Sequence, residues 1–268
     1  ENCLANFDSS PCSGNVLVMI QAIINGAPRD ALSAIAAILA TVIIFLAVVW
    51  AQSLKVEIPL TYERIRGYGI KWPLAFFYSS NIPVILVAAL AANLQLFGSL
   101  LENWLGHPTF LGGFSQGQPV SGLAFWISSS NIIEALIRGS FQSVFVLQAI
   151  IHILFYMVVS AIFAVFWVKT SGMDEATQAK NILSSGLQLP GFRKDPRVIE
   201  SILKRYIMPL TVMGGLAIGF LASVANLLGA LTGGTAILLA VMIMYKLYED
   251  IARQHTLDMH PALRKFMG

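Results

Sequence analysis

The chain has 268 residues, of which 56% are hydrophobic and only 12% charged, with a mean hydropathy of +0.72 and a net charge of +3. A soluble domain carries about 25% charged residues, so this chain cannot clothe a globule of its size in polar surface. Disorder is excluded by the same figures, because it needs low hydrophobicity and high charge; the composition is that of an integral membrane protein.

Residues 1–30 contain a single basic residue, Arg29. Cys3 and Cys12 lie here with eight residues between them, compatible with a disulfide outside the cytosol and equally with two free thiols. Asn15–Ile24 (NVLVMIQAII) is too short to span a bilayer and reads as a helix lying at the interface. Residues 31–54 carry no Asp, Glu, Lys or Arg and predict a first transmembrane helix, since about 20 apolar residues cross a membrane. The basic loop 55–71 has strand-like alternation at Val56-Glu57-Ile58 and presents Arg64 and Arg66 beside glycines. Residues 72–101 predict a second span. Its polar lead-in, Ser79-Ser80-Asn81, is followed by Pro83, and a proline inside a span frees a carbonyl and bends the helix. A loop at 102–138 precedes a third span at 139–168, and a second basic loop follows at 169–205. The charge-free run Tyr206–Tyr245 holds two spans, 206–228 and 231–250, with a turn near Asn226, Gly229, Gly233 and Gly234. Residues 251–268 form a tail. The fold expected is an all-α integral membrane protein with five transmembrane helices; the alternating ten-residue segments of a barrel are absent.

Charge orients these helices. Fifteen Lys and Arg residues fall in the segments 55–71 and 169–205 and in the stretch from Lys246 to the end, against two, Arg29 and Arg138, on the other side. Positive loops stay in the cytosol, which places the N-terminus outside and the C-terminus in the cytosol.

No cluster supports catalysis, and no cofactor or metal is expected. His107, His152, His255 and His260 are scattered, and His255 and His260 are spaced wrongly for a zinc motif on a helix face. His152 is the one ionisable group well inside a predicted span, where a structural hydrogen bond suits it better than proton relay. The spans lack the paired acids that a proton-coupled transporter needs. They also lack the paired Asp, Ser-His or zinc-ligand set of an intramembrane protease. The glycines of Met213-Gly214-Gly215, Gly219 and Gly233-Gly234 suit close helix packing.

Three separated motifs carry a resemblance. The first basic loop reads KVEIPL, then TYERIRGYGIKWP, and SNIPVIL opens the second span. The second loop reads GFRKDPRVIESILKRYIMPLTV, and the last span opens with GGTAILLAV. In this order they resemble the SecY family, the central subunit of the protein-conducting channel, most closely its archaeal and eukaryotic branch. The resemblance implies one half, spans six to ten, of a ten-helix pseudo-symmetric channel. A start at Glu1 rather than Met suits a piece of a longer polypeptide. By the same resemblance, Asn81, Ser80 and Pro83 border a lateral gate, and Ile85 and Leu239 belong to the aliphatic pore ring. Arg64, Arg66, Arg193 and Lys194 would dock a ribosome or another cytosolic partner, arginine being suited to phosphate by its bidentate fork. The partners implied are the N-terminal half with spans one to five, small subunits of SecE/gamma and beta type, signal sequences and nascent polypeptides, and membrane lipid. The alternative is half of a small-molecule secondary transporter, built as one arm of an inverted repeat.

Overall fold

The computed structural model describes residues 14–62, 69–115, 117–140, 142–188 and 195–259, which are mostly helical. In chain order, α1 (Asn15–Ile24) leads through a turn at Gly26, whose φ of +65° suits glycine, into α2 (Pro28–Ser53). A hairpin follows, β1 (Lys55–Tyr62) with β2 (Gly69–Ala75), and then α3 (Ile82–Leu105). The next connection folds into a small hairpin, β3 (Gly113–Ser115) and β4 (Gln118–Ser121), and two short helices, α4 (Gly122–Ile127) and α5 (Ile132–Ile137). Then come α6 (Ser143–Thr170), α7 (Glu175–Ser184), β5 (Leu187–Gln188), α8 (Pro196–Leu227) and α9 (Gly234–Met259).

Among the described residues four helices, α2, α3, α6 and α8, are long and apolar enough to cross a membrane. The fifth long helix, α9, runs without charge only from Gly234 to Tyr245 before Lys246, Glu249 and Asp250.

Two cores hold the chain. The first lies among the spans and includes Val48 of α2, Val84 and Val87 of α3, Tyr156 of α6, Ile218 and Ala222 of α8 and Leu238 of α9. The second joins the two basic segments: Ile58 and Leu74 of the hairpin pack with Val168, with Ala179 and Ile182 of α7, and with Ile199, Leu203 and Ile207 of α8. Backbone pairing reinforces it. β5 pairs antiparallel with the end of β1 through Thr61↔Gln188 and Tyr62↔Leu187, giving a sheet in the order β2-β1-β5.

The glycines of α8 explain its packing on α6. A Cβ at Gly219 would sit 2.5 Å from the Tyr156 carbonyl oxygen, and one at Gly215 would sit 2.9 Å from Ala161 Cα. Gly214 faces the Phe76 carbonyl, where a Cβ would sit 2.7 Å away, and Gly234 presses on the backbone of Ala222. Asn226 Oδ1 accepts the Gly234 N–H at 2.7 Å, closing the turn in which Gly229 has a φ of +63°.

Three expectations are corrected. Trp72 to Ala75 belong to β2, so the second long helix starts at Ile82 rather than residue 72; proline and aromatic residues without charge fit a strand as well as a span. Pro83 does not kink a helix, because it stands in the first turn of α3, where no intrahelical bond needs its N–H. The fourth helix begins ten residues before 206, at Pro196, with Asp195 capping it by accepting the Arg197 N–H at 3.0 Å. Its charges suggest a loop, yet Ile199 and Leu203 recur at helical spacing and are buried.

Gly219→Ala should destabilise the chain by about 1–3 kcal/mol, the cost of overpacking, because backbone rather than a flexible side chain meets the new methyl. Gly233→Ala, with Asn226 Oδ1 at 3.9 Å as its nearest neighbour, should change stability by less than about 0.5 kcal/mol. Thermal unfolding in detergent checks the pair.

Candidate functional site

The polar lead-in of α3 is a tight turn. Ser80 is the single described non-glycine residue with positive φ, +59°, and its hydroxyl donates to Asn81 Oδ1 at 3.3 Å. Asn81 occupies the position before the helix with its side chain turned inward, at 6% exposure, and Ser79 is fully buried. Neither Asn81 Nδ2 nor Ser79 Oγ has a partner among the described residues. A buried unmet donor costs about 1–3 kcal/mol, so this turn is held against its own polarity by its surroundings. Ser80 itself is exposed.

Tyr78 supplies one anchor. Its hydroxyl donates to the Met173 carbonyl at 2.7 Å, tying the α3 lead-in to the turn between α6 and α7. Burial, and secondarily the charges of Asp174 and Glu175, push its phenol up to about 12.

A second anchoring set lies along α6, where Gln148, His152, Tyr156 and Ser160 are buried at intervals of four residues. Gln148 Nε2 donates to the Phe125 carbonyl at 2.7 Å. His152 Nδ1 lies 2.6 Å from the Ile127 carbonyl, and because a carbonyl only accepts, Nδ1 carries the proton. Both side chains therefore clamp α4 onto α6. The plain structural role expected of His152 is the one its geometry shows.

Ile85 and Leu239 are 40% and 39% exposed, while their neighbours Val84 and Leu238 are completely buried. Each points out of the core of this chain. Arg64, Arg66, Arg193 and Lys194 lie outside the described residues, as do Cys3 and Cys12. The strands from which the two basic segments depart are described, however, and they are hydrogen-bonded neighbours: β1 ends at Tyr62, opposite Leu187 of β5.

Sequence reading missed this shared sheet, the Tyr78 bond and the clamping of α4. Gln148 and His152, the two polar groups four residues apart in an apolar run, were the available signal for the clamp. Among the described residues, no group of three or more His, Cys, Asp or Glu could hold a metal.

Comparison with known proteins decides the family. The SecY family model matches residues 8–248. The chain belongs to the SecY family. It is 42% identical over 255 residues to the protein translocase subunit SecY of Methanocaldococcus jannaschii, covering 95% of this chain and 56% of that protein. It is 44% identical over 231 residues to the same subunit of Methanococcus vannielii, covering 86% and 51%. Among solved structures, one concerned with the plug domain of SecY and the closed state of its translocation channel matches with a TM-score of 0.74 at 42% identity, over 94% of this chain and 56% of that one. Another, of a protein conducting channel, matches with a TM-score of 0.73 at 42% identity, over 93% and 55%. The chain spans about half the length of the curated SecY relatives it matches. It is a multi-pass membrane protein, and these similarities lend no support to the solute-transporter alternative.

Because the Tyr78 phenol is raised in the folded chain above its ordinary value of 10.0, its contribution to stability is complete below pH 10 and is lost as pH rises towards 12. Tyr78→Phe should lose about 1 kcal/mol at neutral pH. It should also show a shallower loss of stability than the parent between pH 10 and 12. Denaturant unfolding across that range reads both effects.

Proposed function

We propose that this chain is the C-terminal half, spans six to ten, of the central subunit of the Sec protein-translocation channel. In that role it passes secretory polypeptides across the membrane and releases membrane segments through a lateral gate. The observation that carries the reading is the match of 94% of this chain to only 56% of a solved channel. The other five helices are then a partner, alongside small subunits of SecE/gamma and beta type.

In this reading α9 is the fifth span despite its early charges. Gly234 touches Ala222, five residues before the end of α8, so α9 starts about 7 Å inside that end. Glu249, fifteen residues later and about 22 Å further, pairs at 2.5 Å with Lys55, just past the end of α2. The two lengths together approach the hydrocarbon thickness of about 30 Å. Lys246, Glu249 and Asp250 then stand at the basic, cytosolic side, and the N-terminus lies outside.

Ile85 and Leu239 form this half's share of an apolar collar. Such a collar surrounds a translocating chain without hydrogen-bonding it and limits ion leakage by dewetting. Ser80, Asn81 and Pro83 form the rim of the gate, with Ser80 exposed and the Asn81 Nδ2, which has no partner among the described residues, behind it. Arg64, Arg66, Arg193 and Lys194 dock a ribosome or another cytosolic partner. The paired strand ends at Tyr62 and Leu187 support this, because both basic segments leave one sheet.

Reconstituted with the complementary five helices, the chain should pass a signal-bearing polypeptide into vesicles, and alone it should give no ion-tight conduit. Saturable solute uptake without polypeptide transit, or a gated conduit from this chain alone, would overturn the reading. Replacing Arg193 and Lys194 together with Glu should weaken ribosome binding and flatten its salt dependence, since each phosphate no longer neutralised lowers the slope by about 0.9. Sedimentation with ribosomes at several salt concentrations measures it; unchanged binding at low salt would remove this loop from the docking surface.

A further inference from the structure

The side away from the basic segments carries an uncharged run. Residues 103–133 contain no Asp, Glu, Lys or Arg. Within them Trp104 and Phe110, each 84% exposed, are the most exposed large apolar residues described. The depth of this segment follows from what it touches. A Cβ on Gly98 of α3 would sit 3.0 Å from the Phe114 ring and 3.6 Å from Leu111 Cβ. Gly98 lies seven residues, about 10 Å, before the end of α3. On the other flank Gln148 and His152 hold the Phe125 and Ile127 carbonyls. They stand five and nine residues, about 8 and 14 Å, inside the start of α6. The segment is therefore sunk beside the two spans instead of standing above them.

Backbone at such depth must be satisfied within the protein, and here it is. The Thr109 and Gly112 N–H groups each donate to the other residue's carbonyl, at 3.3 and 3.1 Å, and the Leu123 N–H donates to the Phe110 carbonyl at 3.2 Å. Glu102 Oε2 accepts the Phe114 N–H at 2.7 Å. Gly122, with a φ of +76°, closes on this turn, since a Cβ there would come within 2.7 Å of Gly112 Cα. The turn directs Leu111 towards Gly98 and leaves the neighbouring Phe110 ring outward.

We propose that the turn at residues 109–112, with β3, β4 and α4, forms a re-entrant cap seated in the leaflet opposite the basic segments, with Trp104 and Phe110 in its interfacial layer. The occupant of this surface is uncharged or zwitterionic lipid, met through aromatic and apolar contact and not through charge. Continuity with the spans favours lipid over a protein partner. On α3 the exposed residues Phe97, Leu100 and Trp104 recur at three and four residues and lead to the cap. In the same way an exposed ladder on α6, Leu147, Ile150, Leu154, Val158, Ile162 and Phe166, runs the other way to end on exposed Lys169. Tryptophan concentrates at the membrane–water interface, where its ring is apolar and its N–H stays wet. The missing charge has the same cause, because a charge at that depth is penalised steeply.

The test uses the full chain in phosphatidylcholine nanodiscs, with Cys3→Ser and Cys12→Ser so that one nitroxide can be placed by Phe110→Cys, Trp104→Cys or Lys180→Cys. All three side chains are exposed, so no label displaces packing. Electron paramagnetic resonance reads collisions with oxygen, which concentrates in lipid, and with a water-soluble nickel chelate. The oxygen-to-chelate ratio at positions 110 and 104 should exceed that at position 180, on the polar helix α7, severalfold. It should keep that excess when the complementary five helices are added. A ratio at position 110 equal to that at position 180 means contact with water and overturns the proposal. Shielding of position 110 from both reagents, in the chain alone or with the five helices present, means a protein occupant and overturns it as well.

Discussion

The close approach of α6 and α8 is the constraint on which the rest of the chain depends. In lipid, apolar surface gains nothing by being buried against another helix, so association rests on van der Waals packing and small residues. Gly215 and Gly219 let the α8 backbone reach Ala161 and Tyr156, and Gly214 does the same for Phe76 at the mouth of α3. α9 follows the rule through Gly234 and Ala222. Any side chain at these points would push the helices apart and separate the elements that position Ile85, Leu239 and the α3 lead-in.

Because α8 continues for ten residues before the charge-free run, the same helix also organises the polar side. Its first turns bury Ile199 and Leu203 against α7 and the hairpin. One continuous rod thus links the spans to the sheet from which both basic segments emerge. Polar clamps secure the opposite end: Gln148 and His152 hold α4, while Arg138 pairs with Glu134 at 2.9 Å and with Asp30 of α2 at 3.8 Å. These exposed ion pairs contribute little. The buried bonds of Gln148 and His152 matter more, since breaking one strands a carbonyl inside the protein.

Much of this was legible, and the reasons are physical. Charge exclusion marks the long helices because lipid penalises charge steeply, and glycine at packing positions announces itself by composition. The strand character of Val56-Glu57-Ile58 was visible, but the pairing of the same strand with Leu187 was not. That pairing joins residues about 125 apart in sequence, and at such distance it leaves no local pattern. Absence of charge misled at Trp72–Ala75 because it is necessary for a span but not sufficient. Charge misled at Pro196–Arg205, where a helix with one buried stripe carries its cations on the remaining faces.

The residues proposed for the collar are those that sequence periodicity discriminates least. Ile85 and Leu239 are as apolar as Leu154 or Ile162, and all four are exposed on long helices. Their identity cannot separate a collar from a lipid-facing ladder, since both settings favour side chains that carry no hydrogen-bonding groups. What differs is the setting. The α6 ladder is continuous over about twenty residues and ends on a cation, as a lipid-facing stripe should. Ile85 stands one turn from a strained turn with buried, unmatched polar groups, and Leu239 lies five residues after a backbone approach between helices. An aliphatic side chain that is exposed beside costly polar structure is hard to account for by lipid alone. The collar proposed for these two residues accounts for it, because there the same side chain faces a translocating chain rather than hydrocarbon.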